Sequence, residues 1–159
     1  KLYGAYVIVV SRSKHKLNLA KSLGADKIFS TLEIPISNIK DEILNITDKL
    51  GVDLIIDTTA NPDLVIQMLD ILRPGGTLLQ FGIGANTLNV PMYLLYYKEI
   101  NIISSRASLP IDFIDAIKLV SQNKIYLKSL IMRSVKLEES PKLFESSENF
   151  ELKTIIRIS

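Results

Sequence analysis

Four short stretches carry residue types that can hold a ligand: Ser11-Arg12-Ser13, Asp57-Thr58-Thr59-Ala60, Phe81-Gly82-Ile83-Gly84 and Ser104-Ser105-Arg106. Each is rich in hydroxyls or glycine, so a ligand can come close to the backbone. Each also follows a run of β-branched or apolar residues, which puts it at the C-terminal end of a strand. In an open parallel sheet, ligands bind outside those ends. The same residues also act as plain caps and turn formers. Their repetition in consecutive units is what points to a site.

The first stretch is the most informative. A dinucleotide-binding unit ends its second strand on an acid, which accepts hydrogen bonds from the adenosine ribose. Here Ser11 stands in that place, followed by Arg12, Lys14 and Lys16. A serine removes the charge that would repel a 2′-phosphate, and a guanidinium binds phosphate through two parallel hydrogen bonds. That composition fits NADP rather than NAD. A solvated basic helix turn has the same composition.

Other residues carry less. Asp53 and Asp57 alternate along one strand and read as carboxylates solvated at its ends, not as an acid–base pair. His15 falls on the exposed side of a lysine-rich helix, with no acid or nucleophile near it in sequence. Asn45-Ile46-Thr47 matches a glycosylation acceptor but lies inside a predicted helix. Tyr93, Tyr96 and Tyr97 read as an interface or core cluster. No catalytic residue is assigned.

The elements that must position these turns alternate in type. Residues 6–10 read as a strand buried on both faces. Ser13 caps a helix over 14–23, with Gly24 as its stop. A short strand at 27–29 and a loop at 30–38 precede a helix whose stripe is Ile39, Ile43, Ile46 and Leu50. A third strand at 54–57 leads to a helix opened by Asn61-Pro62, with Val65, Leu69 and Leu72 inward. Arg73-Pro74-Gly75-Gly76 reads as the stop of that helix, before a strand at 77–81. An apolar, partly helical bridge at 90–98 and a strand at 100–103 follow. Beyond them lie a helix at 110–123, a strand at 129–132, a helix at 141–146 and a strand at 154–158. Strands joined by helical crossovers give an α/β fold with a parallel sheet.

Composition bounds the rest. The chain has 159 residues, 47% apolar and 23% charged, the profile of a folded domain and not of a disordered one. A net charge of +2 with scattered Lys and Arg gives no footprint for nucleic acid or for a membrane face. With no cysteine and one histidine, the chain carries neither a disulfide nor a Cys- or multi-His zinc site. No apolar run approaches the roughly 18 residues of a spanning helix, and no signal-peptide pattern is present. The chain starts at Lys1 on what reads as the tail of an element. It is therefore expected to be part of a longer cytoplasmic protein.

These residues resemble a family. The run from Gly4 to Val10 with Leu17-Asn18-Leu19-Ala20-Lys21-Ser22-Leu23-Gly24-Ala25-Asp26 is similar to the second strand and helix of medium-chain, zinc-type alcohol and polyol dehydrogenases. Val52-Asp53-Leu54-Ile55-Ile56-Asp57-Thr58-Thr59-Ala60 resembles their fourth strand and turn. Leu72-Arg73-Pro74-Gly75-Gly76-Thr77 with Phe81-Gly82 resembles the next turn and strand, and Lys153-Thr154-Ile155-Ile156-Arg157-Ile158 the closing strand.

The resemblance implies a Rossmann-like doubly wound sheet of order 3-2-1-4-5-6 that lacks its first strand. It implies a cofactor domain over residues 1–105, and a segment over 106–159 that returns to a catalytic domain outside this chain. Adenosine contacts are implied at Ser11, Arg12 and Lys16. Nicotinamide and ribose contacts are implied at Thr58, Thr59, Phe81, Gly82 and Ile83, and backbone contacts near Ser105 and Arg106. The implied activity is hydride transfer between NADP (or NAD) and a small alcohol or carbonyl substrate, in a homo-oligomer. Zinc is expected only in the catalytic domain, and this chain by itself is expected to be inactive. A zinc-free quinone reductase lies in the same superfamily. An S-adenosylmethionine-dependent methyltransferase shares the sheet and the Pro-Gly-Gly turn, but it wants an acid where Ser11 stands. A non-catalytic binding fragment is the remaining alternative.

Overall fold

The computed structural model describes residues 1–145 and 152–158. Its elements run β1 (Ile8–Ser11), α1 (Lys14–Ser22), β2 (Lys27–Ser30), α2 (Ile36–Ile46), β3 (Val52–Asp57), α3 (Pro62–Leu69) and β4 (Leu72–Gln80). They continue α4 (Met92–Lys98), β5 (Asn101–Ser104), α5 (Pro110–Ser121), β6 (Ile131–Lys136), α6 (Pro141–Glu145) and β7 (Lys153–Arg157). The chain divides into two compact units, Phe29–Ala107 and Lys1–Ile28 with Ser108–Ser159.

Within Phe29–Ala107, β3, β4 and β5 form a parallel sheet in that order. Val65 and Leu69 of α3, Leu72 and Leu78 of β4, Leu94 of α4 and Ile100 pack together as its buried core. Asn61 starts α3 as its N-cap, the side-chain oxygen accepting the N–H groups of Asp63 (3.1 Å) and Leu64 (3.3 Å), with Pro62 in the first turn. Lys40 of α2 pairs with Asp70 at the end of α3 (2.7 Å).

β1 pairs with β2, and β6 pairs with β7 in a separate parallel sheet. The Ser13 hydroxyl accepts the Lys16 N–H at 3.2 Å and caps α1, as its sequence requires. The α/β class and the parallel pairing of the strands agree with the sequence. No described helix is long and apolar enough to cross a membrane.

Several local expectations are corrected. The stripe of α2 buries Ile39 and Ile43 but not Leu50, which is 71% exposed. The helix ends at Ile46, because Asp48 and Lys49 take positive φ (49° and 64°) and turn the chain toward Gly51. Arg73-Pro74-Gly75-Gly76 does not stop a helix. It lies inside β4, where the ladder steps from Val52↔Leu72 to Leu54↔Thr77 and leaves the intervening residues as an irregularity. Leu72, read as a helix position, starts that strand. β1 is half-buried and not buried on both faces. On β3, Ile55 packs on the core while Leu54 (48%) and Ile56 (55%) face outward and are exposed. The apolar face of α5 is exposed at Phe113 and Ile117. Residue 146 of the last predicted helix lies outside the described residues.

Candidate functional site

The three parallel strands end in register, with Asp57 opposite Gln80 and Gln80 opposite Ser104. The turns beyond them line a cleft of about 660 Å³. Ala60 comes from the β3 turn, Phe81, Gly82 and Ile83 from the β4 turn, and Ser105 and Arg106 from the β5 turn. This is the C-terminal edge of a parallel sheet, the location at which such folds take ligands.

Asp57 holds the first of these turns. Its Oδ1 accepts the Thr59 N–H (2.9 Å) and the Thr59 hydroxyl (2.7 Å). Its Oδ2 accepts the Ala60 N–H (3.2 Å) and the Gln80 amide (2.6 Å). Burial pushes this carboxyl upward, but the hydrogen bonds from Thr59, Gln80 and Ala60 outweigh it and keep Asp57 below the ordinary carboxylate range. The Asp57 carbonyl in turn accepts the N–H groups of Phe81 (2.9 Å) and Gly82 (2.7 Å), which binds the second turn to the first.

Gly82 is required by space. A Cβ there would lie 2.7 Å from the Ala60 nitrogen and 2.8 Å from the Thr58 carbonyl carbon. The two turns therefore touch backbone to backbone, which any side chain would prevent. Ala60 itself has φ 53°, a left-handed conformation that a non-glycine residue seldom adopts.

Five of the sequence-derived residues, Phe81, Gly82, Ile83, Ser105 and Arg106, line this one cleft. Phe81 and Ile83 are exposed there, apolar side chains with no core to enter. Thr58 and Thr59 sit on the adjoining turn. The Thr59 hydroxyl donates to Asp57 and accepts the Asn61 N–H at 3.1 Å, so it ties the turn internally. Ser11, Arg12 and Lys16 belong to the other unit, at the end of β1 and the start of α1. There the Ser11 hydroxyl accepts the Ser13 N–H at 3.2 Å and keeps its own proton to donate, while Arg12 and Lys16 are exposed.

The carboxylates are not the equivalent pair that their alternation suggests. Asp53 is exposed, with Arg73 Nε donating to it at 2.6 Å; that hydrogen bond and the arginine charge hold it below the usual range. Asp57 is only 6% exposed, which overturns its reading as a solvated strand end. The Asp-x-Thr spacing is a legible signal for its i→i+2 turn. Gln80 had none, because its partner is set by strand register. Tyr93, Tyr96 and Tyr97 are exposed and not core; Tyr96 and Tyr97 meet edge to face at 5.2 Å. His15 is exposed, as expected. Among the described residues no group of three His, Asp or Glu side chains is placed to hold a metal.

The chain is similar to known proteins over nearly its whole length. A D-arabitol-phosphate dehydrogenase of Enterococcus avium is 32% identical over 98% of this chain and 45% of its own length. The crystal structure of benzyl alcohol dehydrogenase from Acinetobacter calcoaceticus superposes with a TM-score of 0.83 at 25% identity, covering 98% of this chain and 44% of that one. A putative zinc-binding dehydrogenase from Sinorhizobium meliloti, solved bound to NADP, shares the fold with a TM-score of 0.84 at 21% identity over 98% of this chain and 46% of its own. The chain thus spans less than half the length of these relatives. Nothing in these matches supports the methyltransferase alternative. The model of the zinc-binding dehydrogenases matches residues 1–122, well over half of the chain, and by that match the chain belongs to the zinc-binding dehydrogenase family.

Proposed function

We propose that the protein carrying this chain is an NAD(P)-dependent oxidoreductase of the medium-chain alcohol and polyol dehydrogenase type. The observation that carries this reading is the cleft beyond β3, β4 and β5, where Gly82 brings two turns into backbone contact. A nicotinamide cofactor, when bound, supplies the hydride acceptor or donor. The chain's own part is to bind and orient it. Phe81 and Ile83 offer apolar surface to a flat ring, and Ser105 and Arg106 offer hydrogen bonds and a positive charge from the β5 turn.

Ser11, Arg12 and Lys16 hold the adenosine end and favour NADP through charge-assisted hydrogen bonds to its 2′-phosphate. Thr58 contributes from the rim of the β3 turn, and Thr59 through the backbone. Residues 1–105 act as the cofactor domain and 106–159 as the segment that joins the catalytic domain, where the zinc and the catalytic groups reside. The substrate is a small polyol, alcohol or carbonyl compound. The working form is a cytoplasmic homo-oligomer that engages neither nucleic acid nor membrane.

The test is a scan of the full-length protein against polyols and ketoses, following nicotinamide absorbance. Reduction of NADP by a polyol, faster than reduction of NAD, is the expected result. No hydride exchange with either cofactor across that panel overturns the reading.

A further inference from the structure

Asp57 and the amide nitrogen of Gln80 stand at the cleft with their hydrogen-bonding positions already taken. A carboxylate offers about four acceptor positions, and each Asp57 oxygen already accepts two donors. Gln80 Nε2 has two hydrogens; one goes to Asp57 Oδ2 at 2.6 Å and the other to the Gly82 carbonyl at 2.8 Å. What the pair does hold is backbone on both sides of the cleft floor: the β3 turn through Asp57 and Gly82 through Gln80. These are the two segments whose contact tolerates no Cβ.

We infer that Asp57 and Gln80 are a positioning pair that sets the spacing of the β3 and β4 turns, and with it the width of the cofactor cleft, without touching the cofactor. The inference rests on the nicotinamide reading above. Its chemistry is specific to an amide at position 80. A glutamate there has no donor for either acceptor and sets two carboxylates against each other, which drives the turns apart. Adding one proton to that pair restores a single shared hydrogen bond, so the defect is reversed in acid.

The experiment is calorimetric titration of the full-length protein with NADP and NAD at about pH 8 and about pH 5.5, well below the unfolding temperature of each variant. For Gln80→Glu the ratio of its Kd to that of the unaltered protein is expected to be about tenfold at the higher pH, a loss of ~1.4 kcal/mol, and to fall toward one at the lower. Gln80→Met keeps the shape and removes the donors without adding charge. Its ratio is expected to be raised several-fold and to be the same at both pH values. A side chain with a merely structural role would lower the unfolding temperature and leave both ratios at one. That result, or a Gln80→Glu ratio independent of pH, overturns the inference while leaving the cofactor reading intact. Failure of the unaltered protein to bind either cofactor overturns the reading itself, and the inference with it.

Discussion

Gly82 and Ala60 meet so closely that a methyl group on Gly82 would lie 2.7 Å from the Ala60 nitrogen. The neighbouring atoms are backbone, held in place by the hydrogen bonds of Asp57, and cannot swing aside as a long side chain would. Gly82→Ala is therefore expected to destabilise the fold by about 1–3 kcal/mol, the range for overpacking a filled space. It should also weaken cofactor binding. Gly84→Ala meets the Ala60 Cβ at 3.1 Å and is expected to be milder. Urea unfolding of the two variants checks the ranking.

A second glycine serves the fold and not the site. Gly51 has φ 92°, and a Cβ there would lie 2.5 Å from the Ile71 carbonyl oxygen and 2.8 Å from the Arg73 nitrogen. Strain and collision act together, so Gly51→Ala is expected to cost at least about 2 kcal/mol. Thermal unfolding reads this directly. An unchanged transition would show that the start of β4 can move away from residue 51.

The depressed pKa of Asp57 predicts acid sensitivity. A carboxylate whose pKa is lower folded than unfolded stabilises the fold fully above the unfolded value, near 4, and loses that contribution as pH falls through the folded value. Stability measured by urea unfolding from about pH 6 to about pH 3 should therefore fall, and fall less steeply in Asp57→Asn. Asp53 is also depressed, by its hydrogen bond from Arg73, but it is exposed and screened by solvent. Asp53→Asn should leave the acid limb nearly unchanged. Equal effects of the two substitutions would contradict the burial argument.

The proposed preference for NADP makes Arg12 its test. A charge-assisted contact to a 2′-phosphate contributes about 1.5–3 kcal/mol. Arg12→Ala in the full-length protein is expected to weaken NADP by about tenfold or more and to leave NAD within about twofold. Parallel titrations with both cofactors decide it. Equal losses would move the phosphate contact away from Arg12.

The sequence by itself determined what depends on neighbouring residues. Ser13 and Asn61 cap the helices they were read to cap, since a side-chain oxygen two or three residues from an amide needs no help from the rest of the chain. Ile39 and Ile43 are buried because their spacing puts them on one helix face. Strand–helix alternation sufficed for the α/β class, and the strand-end turns with Phe81, Gly82 and Ile83 marked the cleft. Only the tertiary structure decided what depends on residues brought together from far apart. Asp57 and Gln80 lie 23 positions apart, and the strand register that makes them partners is not written near either one. The same register carries Arg73-Pro74-Gly75-Gly76 into β4, where local turn chemistry reads a helix stop. Burial of Asp57 depends on that convergence: a carboxylate leaves water at tolerable cost only where donors replace it, here those of Thr59 and Ala60 in the turn and the Gln80 amide on β4.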